Sequence, residues 1–164
     1  MIVVRSIKKA SDTLDRVCTV ISVLLLGVMT VVTFAQIICR VFFSALFWTE
    51  EVARYALVWI TFIGAGCVHK RVGHISITIF QDLLPGKARK VFQILTQLLC
   101  ITVFLVAIYY GFSYTQLMGK QLSAALRIPM RYMYAIIPLG CVVMTLHSAA
   151  LIAQICARKE AETE

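Results

Sequence analysis

The chain alternates between long apolar runs and short charged segments. A helix that crosses the hydrocarbon core of a membrane needs about 20 predominantly apolar residues. Residues 17–39, 91–119 and 132–157 form three such runs without Asp, Glu, Lys or Arg. A fourth run, 55–68, reaches the required length if its helix begins near Trp48. The pattern therefore predicts four membrane-spanning helices, at about 17–39, 48–68, 91–118 and 132–157.

The start of the second span carries residues that favour an early helix start. Thr49 is of a type that caps helix N-termini, and Glu50 and Glu51 would lie in the first turn, where the helix dipole favours anions. Arg54 follows Glu50 by four residues, in the order that favours an ion pair on one helix face. These features predict a second helix that is long enough to span.

The segments between the spans carry amphipathic patterns. In residues 75–84, apolar side chains recur on one helical face until Pro85 breaks the pattern, which predicts a helix lying in the membrane interface. Alternating isoleucines in the same segment also fit a strand, but an open strand edge near lipid leaves backbone groups unsatisfied. We expect residues 118–126 to continue the third helix as an amphipathic element that ends before Pro129.

Composition places most of the chain in lipid. Hydrophobic residues make up 60% of it and its mean hydropathy is +0.87, whereas globular proteins contain about 45–50% apolar residues. We therefore expect one membrane domain over residues 1–164. Its fold class is all-α, an integral membrane protein with four transmembrane helices and amphipathic interfacial connecting helices.

The charged residues indicate topology. The net charge of +8 comes from 16 Lys and Arg against 8 Asp and Glu. The basic residues lie between apolar runs rather than together on one face, so no nucleic-acid partner is expected. Eleven of the 16 basic residues fall in the N-terminal segment, between spans two and three, and in the C-terminal tail. Because cytoplasmic loops are rich in basic residues, the N- and C-termini are both expected in the cytoplasm.

The reactive side chains do not form the pattern of an active site. No carboxylate lies in the middle of a span, and His147 is the single titratable residue near a span centre. For such a histidine, a hydrogen bond to a neighbouring helix is a more common role than haem ligation or proton relay. No enzyme activity, catalytic residue, cofactor or metal is expected. The cysteines lack metal-site spacing and are interpreted as packing residues: Cys18, Cys39, Cys67, Cys100, Cys141 and Cys156.

The second span has two distinct faces. Aromatic residues from Trp48 to Trp59 share one face, whereas Glu50 and Arg54 begin a separate polar stripe. Further along, a Gly-Ala-Gly segment permits close approach of another helix. These features predict a helix made for packing, although the charged residues also fit a capped and solvated helix start. The candidate subunit-interface residues are Trp48, Glu50, Glu51, Arg54, Trp59, Gly64 and Gly66.

Two blocks of the sequence resemble one family of membrane subunits. The first is Trp-Thr-Glu-Glu-Val-Ala-Arg-Tyr at 48–55 and Val-Trp-Ile-Thr-Phe-Ile-Gly-Ala at 58–65, followed by His74-Ile75 and Leu84-Pro85. The second is Ser-Ala-Ala-Leu-Arg-Ile-Pro at 123–129, followed by Tyr134, Ile-Pro-Leu-Gly at 137–140 and His147. Together they resemble the small, Q-type (DctQ-like) membrane subunit of tripartite ATP-independent periplasmic (TRAP) transporters, over nearly the whole chain.

The resemblance implies a subunit of a transporter rather than a complete carrier. In this family, a periplasmic substrate-binding protein delivers an organic-acid anion to a large multi-span membrane subunit, which moves the anion by symport with sodium. The resemblance implies a lipid-embedded scaffold subunit of the bacterial inner membrane that braces the large subunit for this uptake. Because the chain ends at Glu164 after an acidic tail, the large subunit is expected to be a separate chain. The substrate is left open between C4-dicarboxylates, sialic acids, sulfonates and keto-acids.

A free-standing four-span protein is the alternative interpretation. It would be a homo-oligomeric small-molecule exporter or a membrane assembly factor without a binding-protein partner. The sequence also leaves open which helix face meets the large subunit. Co-purification separates the two interpretations, because only the scaffold subunit brings down a large partner chain in stoichiometric amount.

Overall fold

The computed structural model describes residues 2–44, 46–72 and 86–161. Four long helices and one short helix make up most of this part of the chain. The predicted interfacial segment, 75–84, lies outside the described residues. The helices are α1 (Ile2–Phe42), α2 (Phe47–Val72), α3 (Gly86–Leu117), α4 (Arg131–Tyr134) and α5 (Ile136–Ala161), and a 3-10 turn, Met118–Lys120, follows α3.

Four of these helices, α1, α2, α3 and α5, are long and apolar enough to cross a membrane. The all-α class with four transmembrane helices, which the apolar runs predict, is thus confirmed. α1 has 41 residues, and a straight helix of this length measures about 61 Å, roughly twice the thickness of a hydrocarbon core. α1 must therefore extend beyond the membrane at one end.

α5 is the central helix of the bundle. It packs against α3, α2 and α1, whereas α1 packs chiefly against α2. Half of the most apolar stretch of α5 is buried, against 6% of the corresponding stretches of α1 and α3. Glycines allow the close packing of α5 on α2. A Cβ on Gly140 would lie 3.0 Å from Cβ of Phe62, and a Cβ on Gly66 would lie 3.1 Å from Cγ1 of Val143.

The two ends of the bundle differ in what they contain. At one end, here called the loop end, α2 and α5 begin and α3 ends. At the other end, here called the terminus end, the early turns of α1 meet the last turns of α2 and the middle of α5. Both ends carry polar side chains, and the candidate site is built from them.

The start of α2 differs from the expectation in one detail. The helix begins at Phe47, so Thr49 lies inside its first turn and is not the cap residue. The Thr49 side chain is fully buried, and its hydroxyl donates to the carbonyl oxygen of Leu46 at 2.6 Å. Burial explains the difference, because a hydroxyl removed from water must find a partner, and the nearest carbonyl supplies it.

The structure also differs from the expected continuation of α3 through residues 118–126. Only Met118–Lys120 adds a helical turn, and the backbone of Gln121 is already extended, with φ −79° and ψ 129°. The following residues double back and bond to one another instead of forming an amphipathic helix. This arrangement satisfies their backbone groups in a way that the apolar pattern alone does not reveal.

Candidate functional site

The carboxylate of Glu51 joins α2 to the loop between α3 and α4. Its Oε2 accepts hydrogen bonds from the backbone N–H groups of Ala125 and Leu126, each at 2.9 Å. Its Oε1 accepts a hydrogen bond from the hydroxyl of Tyr55, one turn further along α2. Hydrogen bonds to a charged carboxylate are about twice as strong as those between neutral groups. We call this arrangement the Glu51 latch.

The loop that the latch holds is a compact turn, residues 121–130, here called the return loop. The backbone N–H of Met130 donates to the carbonyl of Gln121 at 2.8 Å, and the N–H of Ser123 donates to the carbonyl of Ile128 at 2.9 Å. Arg127 has a φ of 54°, a left-handed conformation that is uncommon for residues other than glycine. The tip of the return loop therefore turns sharply and presents its two N–H groups to the latch.

A groove of about 1100 Å³ lies between α2, the return loop and the start of α5. Most of its surface is apolar or aromatic, and we call it the loop-end groove. The indole Nε1 of Trp59 is buried and has no hydrogen-bond partner among the described residues. The lining residues are Leu46, Phe47, Trp48, Glu50, Glu51, Arg54, Tyr55, Val58, Trp59, Ala124, Ala125, Met130, Met133, Tyr134 and Ile137.

A second surface runs along the outward side of α2 and is here called the α2 seam. Its six residues are separated alternately by four and three positions, the spacing by which one helix packs along another. A Cβ added at Gly64 would meet no described atom within 4 Å. The other five residues of the seam are exposed in the isolated chain. The members of the α2 seam are Glu50, Arg54, Leu57, Thr61, Gly64 and Val68.

The structure divides the predicted interface residues into three groups. Glu51 and Gly66 are used inside the chain, in the latch and in the packing against α5. Trp48 and Trp59 line the loop-end groove. The remaining three, Glu50, Arg54 and Gly64, lie on the α2 seam, and Arg54 donates to Glu50 at 3.2 Å with both side chains more than 60% exposed.

Polar side chains from different helices bond one another at the terminus end. A hydrogen bond of 2.8 Å joins the hydroxyl of Ser11 on α1 to Nδ1 of His147 on α5. A second, of 2.7 Å, joins Nε2 of His69 on α2 to the hydroxyl of Ser148 on α5. His147 and Ser148 are fully buried. The hydrogen bond from His147 to a neighbouring helix, which the sequence favours, is thus confirmed.

Lys70 of α2 completes this terminus-end cluster. Its ammonium group donates to the carbonyl of Ser11 at 3.0 Å and to the carboxylate of Asp12 at 2.7 Å. The ring of His69 meets Phe104 of α3 edge-on, with the ring centroids 5.4 Å apart. All four long helices are therefore connected at this end. The terminus-end cluster comprises Ser11, Asp12, His69, Lys70, Phe104, His147 and Ser148.

The cysteines whose side chains the structure describes are free thiols. Cys18, Cys67 and Cys141 are buried, whereas Cys39 and Cys100 are partly exposed. Within the described parts of the chain, no group of three or more His, Cys, Asp or Glu residues could hold a metal ion. The chemistry of the described site is therefore that of hydrogen bonding and helix packing.

Comparison with known proteins identifies the family. The DctQ component of tripartite ATP-independent periplasmic transporters matches residues 29–158. The chain belongs to this family. DctQ proteins are components of transporters and not enzymes, so the chain is a small permease subunit of a TRAP transporter and a multi-pass protein of the inner membrane.

Individual DctQ relatives match parts of the chain. The ectoine TRAP transporter small permease protein TeaB of Halomonas elongata is 32% identical over 130 residues, which are 77% of this chain and 66% of that protein. The C4-dicarboxylate TRAP transporter small permease protein DctQ of Vibrio cholerae is 26% identical over 90 residues, 54% of this chain and 39% of that protein. The sialic acid TRAP transporter permease protein SiaT of Haemophilus influenzae is 28% identical over 111 residues, 67% of this chain and 18% of that protein. The matched regions thus span two thirds or less of these relatives' own lengths.

Sequence reasoning missed two features of this DctQ subunit. The block at 123–129 is part of the resemblance, but its contact with Glu51 is not visible in the sequence. Lys70, interpreted as a topology signal, also bonds to α1. The signal for the first feature is the co-occurrence of the two family blocks, which the structure brings together. The family match begins at residue 29 and so does not include the partners of Lys70 on α1.

Proposed function

We propose that this DctQ subunit is a scaffold that braces the large membrane subunit during sodium-coupled, binding-protein-dependent uptake of an organic-acid anion. The α2 seam is the observation that carries the proposal. Close packing is the main attraction between helices in lipid, because lipid chains are as apolar as leucine. The residues of the α2 seam have the spacing by which helices pack, and Gly64 leaves room for close approach. Such a surface suits a second helix better than it suits disordered lipid chains.

The chemistry inside the subunit supports a bracing role. The polar groups at both ends are engaged in holding this chain's own helices and return loop together, as the Glu51 latch and the terminus-end cluster illustrate. Such contacts stiffen a bundle. We therefore assign substrate and sodium binding to the large subunit, and capture of the anion to a periplasmic binding protein.

Two relatives support an association with a larger permease. The chain matches 18% of SiaT and 16% of the isethionate TRAP transporter permease protein DctMQ of Oleidesulfovibrio alaskensis. In those proteins, a segment similar to this one is part of a much longer permease chain. Here we propose that the larger permease is a separate subunit. The relatives' names mention ectoine, sialic acid, C4-dicarboxylate and isethionate, so we propose no single substrate.

The proposed orientation has the N- and C-termini in the cytoplasm. The bias of basic residues supports it. In this orientation, the loop end, with the return loop and the loop-end groove, lies on the periplasmic side of the membrane. A cysteine introduced at exposed Arg127 should then react with a membrane-impermeant thiol reagent added from the periplasm, in a cysteine-free background.

A matched pair of glycine substitutions tests the scaffold role. Gly64 on α2 and Gly27 on α1 both lie in helices, and a Cβ at either would meet no described atom within 4 Å. Leucine at both positions therefore leaves the isolated subunit folded. We expect Gly64→Leu to lower the amount of co-purified large subunit about tenfold, an effect typical of overpacking, and Gly27→Leu to leave it unchanged.

The same experiment distinguishes the scaffold role from the alternative function, a homo-oligomeric exporter. If the two variants co-purified equal amounts of the large subunit, the α2 seam would not be part of the interface. A stable homo-oligomer that transports in proteoliposomes without a binding protein would instead support the exporter.

A further inference from the structure

Two basic residues lie next to each other at the base of the return loop. Leu122 and Pro129 form an antiparallel bridge within the loop, and the same register places Lys120 opposite Arg131. A Cβ added at Gly119 would lie 4.0 Å from Cδ of Arg131, so the stem of the arginine passes along the turn that ends at Lys120. The base of the return loop therefore carries two adjacent cations.

These two cations have no anion beside them. Among the residues that the structure describes, neither pairs with a carboxylate, and both side chains are exposed. The nearby carboxylates at the start of α2 are already engaged, that of Glu50 by Arg54 and that of Glu51 by the latch. Because like charges repel, an anion held between the two cations would be attracted by both and would remove their repulsion.

The guanidinium of Arg131 is held in position by the next residue. Its Nη2 donates to the hydroxyl of Tyr132 at 3.0 Å, and its Cζ lies 4.9 Å from the centroid of the same ring. A guanidinium has five N–H donors, so one bond to Tyr132 leaves others for a ligand. The planar fork of an arginine matches the oxygens of a phosphate, and the ammonium of a lysine adds a second positive charge.

The depth of the pair indicates a lipid phosphate rather than a soluble anion. The apolar stretch that contains α3 ends at Lys120, and the one that contains α5 begins at Arg131. Both cations therefore lie where the hydrocarbon region gives way to headgroups. Leu117, one turn before Lys120, is 73% exposed, and Tyr110, two turns further back, is 67% exposed. A soluble anion would leave this apolar surface uncovered, whereas the acyl chains below a lipid phosphate cover it.

We propose that Lys120 and Arg131 bind the phosphate of an anionic phospholipid whose acyl chains lie along the exposed side of α3, over Leu117 and Tyr110. In the orientation proposed above, this lipid belongs to the periplasmic leaflet. The bound lipid fixes the base of the return loop at the membrane surface. The proposal does not rest on the scaffold role, because it uses only surfaces of this chain.

Binding of short-chain lipids to the purified subunit in mild detergent, measured by native mass spectrometry, tests the chemistry of the site. The probes are dioctanoyl phosphatidylglycerol, dioctanoyl glycerol, which lacks the phosphate, and glycerol phosphate, which lacks the chains. We expect the phospholipid to bind at least about tenfold more tightly than either fragment. If glycerol phosphate bound as tightly, the site would be one for soluble anions. If dioctanoyl glycerol bound as tightly, the cations would have no part in it. Either result would overturn the proposal.

Substitutions test the two residues. Lys120→Gln combined with Arg131→Gln is expected to weaken binding of the phospholipid about thirtyfold, and Arg131→Gln alone about fivefold. The matched control is Arg127→Gln, which removes an exposed cation from the tip of the same loop and should weaken binding less than twofold. In detergent without phospholipid, all three variants should melt like the unchanged subunit, because the side chains are exposed. Equal weakening by Arg127→Gln and Arg131→Gln would show general attraction by positive charge and contradict the site.

Photo-crosslinking in the full complex identifies the occupant in native membranes. A photoreactive amino acid at Leu117 is expected to give phospholipid adducts that are richer in anionic lipid than those from Leu99, which is 66% exposed on the same helix. The double substitution of Lys120 and Arg131 should remove this enrichment. Adducts from Leu117 with the large subunit or the binding protein in place of lipid, or equal lipid composition at the two positions, would overturn the proposal and leave the scaffold role standing.

Discussion

The loop end and the terminus end of the bundle both use polar groups to hold helices together, but in different ways. At the loop end, one carboxylate on α2 holds the backbone of the return loop. At the terminus end, side chains of α1, α2 and α5 bond directly to one another, and an aromatic contact adds α3. The loop end is thus anchored through two neighbouring residues of α2, Glu51 and Tyr55, whose hydroxyl also lies 3.3 Å from Sδ of Met130. The terminus end is fastened by contacts that reach all four long helices.

This difference explains why the groove lies at the loop end, while the α2 seam runs from that end along α2 to Val68. The anchor at Glu51 and Tyr55 leaves space beside it, and the loop-end groove occupies that space. The α2 seam also begins there, at Glu50. The terminus end directs its polar groups inward instead, with His147 and Ser148 fully buried. In the proposed complex, the terminus end keeps the bundle together while the α2 seam meets the large subunit.

The largest effect is expected at the loop end, from Glu51→Ala. This change leaves the N–H groups of Ala125 and Leu126 without their acceptor, and it leaves the Tyr55 hydroxyl only the sulfur of Met130 as a partner. We expect the apparent melting temperature of the detergent-solubilised subunit to fall by about 6 °C. The neighbouring Glu50→Ala is the matched control, because Glu50 is 64% exposed and its carboxylate pairs with the exposed side chain of Arg54.

The comparison of the two glutamates decides whether the latch exists. Glu50→Ala should change the melting temperature by less than about 1 °C, since exposed ion pairs contribute little to stability. Glu51→Gln keeps an acceptor oxygen but loses the charge, so it is expected to fall between the two alanine variants. Equal shifts for Glu50→Ala and Glu51→Ala would show that the return loop does not depend on the carboxylate.

A smaller effect is expected at the terminus end, from Lys70→Met. Methionine keeps most of the apolar length of the side chain but removes the bonds to the Ser11 carbonyl and the Asp12 carboxylate. We expect a loss of about 1.5 kcal/mol, because hydrogen bonds to charged groups contribute about 1.5–3 kcal/mol and Asp12 is half exposed to water. The hydrogen bonds between histidines and serines persist in this variant, so α1 and α2 both remain bonded to α5.

Chemical or thermal unfolding of the isolated subunit measures this loss. Lys120→Met is the control, because Lys120 is an exposed lysine at the opposite end. If Lys70→Met lowered the stability of the subunit more than Glu51→Ala, the comparison between the two ends would be wrong. The terminus end would then depend mainly on Lys70.

The long helices could be predicted from sequence because length and apolar character are local properties. α2 begins at Phe47, one residue before the expected start near Trp48, and Glu50 lies in its first turn, whereas Glu51, also expected there, lies just after it. Which glutamate faces the return loop could not be predicted. That choice depends on the rotation of α2 relative to a loop 74 or 75 residues away. Gly64 and Gly66 present the same problem, because only the position of α5 shows that Gly66 faces inward.

The smallest expected effect concerns Glu50 and Arg54, which lie where the groove and the α2 seam meet. In the isolated subunit, a double-mutant cycle with alanine at both positions should give a coupling energy of about 0.3 kcal/mol, as for other exposed pairs one helical turn apart. If the large subunit covers this surface, water is removed from the pair and the coupling should rise to about 1.5 kcal/mol. The cycle is measured twice, by unfolding of the isolated subunit and by association with the large subunit. A coupling that stays near 0.3 kcal/mol in the complex would place the start of the seam outside the interface and move the contact toward Gly64, deeper in the membrane.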